Sequence, residues 1–144
     1  MKKHSFKRTF PSQVNLVKPV LNEILEFLTH SFPFISSEDY FDCKLIYAEL
    51  LVNAVIHGNN NNENKNVSVS INIINDHCFS SIIEDEGCGF NYEDLINKIS
   101  SKDALYLERG RGIQIVKSLT NELHYNLYKK QIQFTKRMKK WIKY

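Results

Sequence analysis

The stretch Tyr47-Ala48-Glu49-Leu50-Leu51-Val52-Asn53-Ala54-Val55-Ile56-His57-Gly58 decides how this chain is read. As a helix it places Glu49 and Asn53, an i and i+4 pair, on one face a turn apart. A carboxylate and a carboxamide presented together suit a hard cation such as Mg²⁺ and a hydroxyl. The amide oxygen can ligate the ion, and the carboxylate can accept a proton or orient a nucleophile. Gly58 closes the helix as a C-cap. Facing this block is Ile82-Ile83-Glu84-Asp85-Glu86-Gly87-Cys88-Gly89-Phe90. It is an apolar, β-branched run ending in acids and two glycines, which stops a strand abruptly and lets backbone approach a ligand closely. A third block, Glu108-Arg109-Gly110-Arg111-Gly112-Ile113, opens a helical pattern. Glycines at a helix start expose N–H groups where the dipole favours an anion, so this block reads as a phosphate cradle.

Outward from these blocks the elements follow from periodicity. His4 to Phe10 reads as a first strand ended by Pro11-Ser12. From Gln13 to about Ser31, Val14, Val17, Leu21, Leu25 and Leu28 keep helical spacing, and Pro19 sets the regular start near Lys18. Phe32-Pro33-Phe34-Ile35 links to the central helix, for which Ser36 or Ser37 is the N-cap and Glu38 and Asp39 favour the first turn. Phe41, Leu45, Ala48, Val52 and Val55 are the expected packing stripe of that helix. The polar run from Asn59 to Asn66, NNNNENKN, reads as a mobile loop. Val67 to Ile73 alternates as a strand, Asn75-Asp76 turns, and Cys78 to Asp85 returns antiparallel, with Asp85, Ile83, Ser81 and Phe79 on one face. Asn91 to Glu108 reads as a lid-like loop with one short helix, Tyr92 to Ile99. Ile113 to Leu119 is a helix, and Glu122 to Tyr128 pairs with Gln131 to Met138 across a turn at Lys129-Lys130.

Bulk composition narrows the class. A chain of 144 residues, 42% hydrophobic and 24% charged, suits a single globular domain over 1–144. A net charge of +3 is too small to argue for nucleic acid. The basic tail, Lys136, Arg137, Lys139, Lys140 and Lys143 with Trp141, reads as an exposed edge strand protected by lysines. Cys43, Cys78 and Cys88 lack metal-ligand spacing and pair unevenly, which suits a reducing compartment. The start, Met1 to Phe6, carries charge without an apolar run, and no stretch reaches the length of a bilayer span, so a soluble cytoplasmic protein without membrane contact is expected.

Glu-x-x-x-Asn-Ala followed by His-Gly, then Asp-x-Gly-x-Gly-Phe, then Gly-x-Gly, in this order, resembles the Bergerat-fold (GHKL) ATPases. Within them the chain is most similar to the anti-sigma factor serine kinases of bacterial stress regulation. The resemblance implies an α+β fold, a two-layer α/β sandwich with a mixed, mostly antiparallel sheet and helices on one face. It implies ATP and Mg²⁺ as cofactors, with Asp85 accepting from the adenine amino group, Asn53 ligating the ion and Glu49 acting as base toward a serine hydroxyl. Gly87 and Gly89 would let the backbone wrap the nucleotide, and Gly110 and Gly112 would give N–H groups to phosphate. Either Arg109 or Arg111 suits a terminal phosphate, because guanidinium favours bidentate contact. The implied partners are a STAS-like anti-anti-sigma protein as substrate, a sigma factor, and a second copy of the chain.

Each functional reading has a plainer neighbour. Glu49 and Asn53 can be solvated helix residues, Asp85 a turn residue, and Gly110 and Gly112 a flexible loop end. At the level of the whole protein the alternatives are a nucleotide-gated binding module without catalysis and a stand-alone histidine-kinase-like ATPase domain. Glu49 stands where sensor histidine kinases usually carry asparagine or histidine, and no phosphoacceptor-histidine hairpin is recognisable, which favours the serine-kinase branch.

Overall fold

The computed structural model describes residues 4–87 and 104–139, with 104–111 described by backbone alone. The expected lid helix Tyr92–Ile99, the residues Cys88, Gly89 and Phe90, and the tail residues Lys140, Trp141 and Lys143 lie outside the described residues. Strand β1 (Ser5–Pro11) leads through a 3₁₀ turn, Val14–Leu16, into helix α1 (Val17–Ser31), with Pro19 in its first turn. Helix α2 (Ser37–Asn53) is capped by Ser36, whose hydroxyl accepts from Asp39 N at 3.0 Å. It passes into a π-helical turn, Ala54–Gly58. Strands β2 (Asn66–Asn75) and β3 (Cys78–Glu84) form a hairpin, with His77 N bonded to Asn75 Oδ1 at 3.0 Å in its turn. Helix α3 (Ala104–Leu119) precedes the hairpin of β4 (Glu122–Asn126) and β5 (Gln131–Arg137).

The sheet order is β1-β2-β3-β5-β4. Every pairing among the described residues is antiparallel, as expected for most of a mixed, mostly antiparallel sheet, because both hairpins turn back directly and β5 meets β3 running opposite to it. Alternation decides the faces. Val67, Val69 and Ile71 of β2, Phe79, Ser81 and Ile83 of β3, and Ile132 and Phe134 of β5 are buried. Burial of the same alternate positions on neighbouring strands is what a one-sided core requires. Aromatic contacts stitch the layers: Tyr47 of α2 meets Phe134 edge-on at 5.3 Å, Phe134 meets Phe79 at 5.9 Å, and Phe79 meets Phe32 at 5.9 Å. These rings bury large apolar areas and prefer such tilted geometries.

Three expectations change. The packing stripe of α2 is Cys43, Ile46, Tyr47, Leu50 and Leu51, whereas Phe41 and Leu45 are 57% and 39% exposed. The helix carries apolar residues on both sides, and the arc with Tyr47 and Ile46 fills the space over the sheet. The basic C-terminal strand is not an edge, since β5 lies between β3 and β4. Its Lys136 is buried, with Nζ bonded to Leu119 O at 2.8 Å and 3.7 Å from Asp42 Oδ2, so it caps the C-terminus of α3. The asparagine run is bonded in successive turns. Asn60 and Asn61 adopt left-handed φ values of 52° and 57°, Asn61 N donates to Val55 O, and Lys65 N donates to Asn62 O, both at 2.9 Å. Asparagine tolerates that backbone region and bonds locally, which substitutes for apolar burial. No helix among the described residues is long and apolar enough to cross a membrane.

Candidate functional site

Two groups of predicted residues meet at either end of the π-helical turn. At the α2 end, Asn53 Nδ2 donates to Glu49 Oε1 at 3.3 Å, as the i to i+4 spacing on a helix permits. That bond leaves the amide oxygen of Asn53 for another partner. Burial pushes the Glu49 carboxyl up, and the hydrogen bond from Asn53 draws it partly back. A half-buried carboxylate with a raised pKa is a stronger base than one in water.

At the other end, Gly58, Asp85 and Gly87 are packed so closely that two of them must be glycine. A methyl group on Gly58 would stand 2.5 Å from Asp85 Oδ2, and one on Gly87 would overlap the carbonyl oxygen of Gly58. Asp85 Oδ1 accepts from Gly87 N at 2.9 Å, and Asp85 N donates at 3.1 Å to Lys130 O in the β4–β5 turn. Burial pushes Asp85 up, countered by the Gly87 N–H and the charge of Lys130, reinforced by Glu84, and countered again by Lys65. As alternation predicted, Asp85 is buried with Phe79, Ser81 and Ile83 on the helix-covered side.

The third block is placed differently from its sequence reading. Helix α3 begins at Ala104, inside the stretch read as a loop, so Gly110 and Gly112 lie within a continuous helix instead of opening one. Their N–H groups are then directed at the preceding turn. The residues from Ala104 to Glu108 are mostly good helix formers and carry the helix through the glycines. Arg109 and Arg111 lie on this helix, and their side chains are outside the described residues. Gly112 nevertheless belongs to the site, because its backbone lies against Glu49 and a Cβ there would overlap the Glu49 carboxylate.

Two contributors were missed. Gly58, read only as a helix end, packs directly against the Asp85 carboxylate. Asn59, read as part of a mobile loop, has a buried side chain bonded to three separate segments. Gly58 had a signal in the His-Gly pair; the partners of Asn59 are too distant in sequence for spacing to reveal. A cavity of about 590 Å³ lined by Phe32, Phe34, Ile73, Ile74 and Met138 lies apart, and none of the site residues lines it.

The family described as histidine kinase-like ATPase domain matches residues 10–136, nearly the whole chain and both ends of the site. No curated protein matches it.

Proposed function

The chain belongs to the histidine kinase-like ATPases, and from that premise we propose that it is an Mg²⁺-ATP-dependent protein serine kinase of the anti-sigma type. Its substrate is a small STAS-like anti-anti-sigma protein, and it holds a sigma factor when that antagonist is phosphorylated. The observation that carries this reading is Glu49, a half-buried carboxylate of raised basicity held one helical turn from Asn53.

The residues fit the group they would hold. Mg²⁺ at a nucleotide keeps several waters and takes few protein ligands, so the Asn53 amide oxygen is sufficient. Gly58 and Gly87 pack directly on the Asp85 carboxylate and on each other, and that close packing would hold the carboxylate in place to accept from a base. Mg²⁺-ATP supplies the phosphoryl group with its charge partly neutralised. Asp85 accepts from the adenine amino group and so sets the register of the nucleotide. Glu49 would take the proton of the serine hydroxyl as that oxygen bonds to the γ-phosphorus, the bond to the β-phosphate oxygen breaking and ADP leaving. Positioning carries most of the catalysis in such a transfer, since little covalent chemistry is asked of the protein. On this reading the N–H groups of Gly110 and Gly112 would reach phosphate only if α3 unwound as far as Gly112, which would also uncover Glu49.

The covering of Glu49 by Gly112 favours a second reading, a nucleotide-gated binding module in which that contact is permanent and no transfer occurs. Transfer to purified partner proteins distinguishes the two. Glu49→Ala is expected to bind ATP as the wild type does and to lose at least about a hundredfold in phosphoserine formation. Equal transfer by both chains would remove Glu49 from its role. Partner binding without any phosphoserine would favour the module, and an acid-labile phosphohistidine would point to a histidine kinase domain.

A further inference from the structure

Asn59 is 2% exposed, and both the nitrogen and the oxygen of its carboxamide are engaged. Nδ2 donates to Ser12 Oγ at 2.7 Å and to Asn66 O at 3.0 Å, and Oδ1 accepts from Glu86 N at 2.8 Å. One side chain thus joins the segment after β1, the start of β2 and the turn after β3. Each of those contacts is secured again from its far side. Ser12 Oγ donates to Lys65 O at 2.7 Å, and Glu86 Oε2 accepts from Asn66 N at 2.8 Å. Asn59 is itself anchored by its backbone, with its N–H on Ala54 O at 3.0 Å across the π-helical turn.

The consequence falls on Asp85. Its own amide is held by Lys130 O, and the amide of the next residue, Glu86, is held by Asn59 Oδ1. With both flanking peptide units pinned, the backbone angles of Asp85 are set, and its carboxylate stands between Gly87 N and Gly58. The backbone bonds set where the Asp85 Cβ points, and the Gly87 N–H together with the Gly58 backbone then selects the side-chain rotamer. We propose that Asn59 is a positioning residue for base selection, holding the Asp85–Gly87 turn so that Asp85 meets a purine with an amino group at position 6 and turns away one with an oxo group there. This rests on the reading of Asp85 as the base-binding carboxylate. A carboxylate accepts from the amino group of adenine and faces a repelling carbonyl oxygen at the same position of guanine.

The test compares ATP and GTP affinities, with Mg²⁺, for wild type, Asn59→Ala, Ser12→Ala and Asp85→Asn, alongside urea unfolding of each. Ser12→Ala loosens the same network without touching the Glu86 amide. It is expected to lose stability and keep the wild-type ratio of ATP to GTP affinity. Asn59→Ala is expected to lose about tenfold in ATP affinity, with GTP little changed, so that the ratio falls toward that of Asp85→Asn. A folded Asn59→Ala with an unchanged ratio would overturn the proposal, including the case where both nucleotides weaken equally. Should Asn59→Ala not fold, Asn59→Asp keeps the acceptor for Glu86 and gives up both donors. It is expected to hold the ratio while losing stability, and a collapsed ratio would count against Asn59. In the wild type the Glu86 amide is expected to be protected from hydrogen exchange, and an unprotected amide would equally overturn the role. Sensitivity to Asp85→Asn without sensitivity to Asn59→Ala removes this proposal alone; no nucleotide binding by the wild type removes the underlying reading and this one with it.

Discussion

Glu49 and Asp85 are carboxylates whose ionised forms are disfavoured by burial, which costs the fold. A carboxyl whose folded pKa lies above its unfolded value contributes stability that is complete below the unfolded value. That contribution is lost as pH rises through the folded value. Once pH has risen through the folded values that contribution is gone, so Glu49→Gln and Asp85→Asn are each expected to melt above the wild type there. The gap should close as pH falls through the carboxylate range. Calorimetric melts from pH 7 downward check this, and a wild type as stable as both variants at pH 7 would contradict the electrostatics. The same residues were legible beforehand because their chemistry is local: a helical turn joins Glu49 to Asn53, and strand alternation puts Asp85 beside Ile83. Asn59 was not, since its three bonds reach across elements that only folding brings together.

At the scale of elements, α3 carries the instructive difference. Glycine pairs are expected at helix ends, yet Gly110 and Gly112 lie inside the helix at a cost of roughly 1 kcal/mol each relative to alanine. A helix weakened there opens with least effort at the turns that cover Glu49. Gly110→Ala is accordingly expected to stabilise the chain by about 0.5–1 kcal/mol in urea unfolding and to weaken ATP binding severalfold. Gain in stability with undiminished affinity would show that these turns stay wound when nucleotide binds. The expected α2 stripe held in part, since Val55 is buried and Ala48 and Val52 pack against the core whereas Phe41 and Leu45 are exposed. Apolar residues line both sides of that helix, so periodicity could not choose between the arc of Phe41 and Leu45 and the arc of Ile46 and Tyr47. Side-chain volume against the sheet made the choice.

For the whole molecule, the two-layer α+β fold with helices on one face was readable from strand alternation and helix spacing, and from the order of the three motifs. Strand order was not, because pairing of β3 with β5 is a long-range fact that local pattern does not encode. That pairing turned an expected edge strand into an interior one and made Lys136 a buried cap of α3. It also brought the β4–β5 turn to Asp85. The proposed nucleotide site therefore lies where α2, its π-helical turn, the end of β3 and the middle of α3 at Gly112 come together. The measurement to make first is a calorimetric titration of wild type and Asp85→Asn with ATP, with and without Mg²⁺. Binding that reaches full strength only with Mg²⁺ and falls at least about tenfold in Asp85→Asn is the expected result. Binding unaffected by Asp85→Asn, or none to the wild type, would contradict the assignment of this convergence as an ATP site.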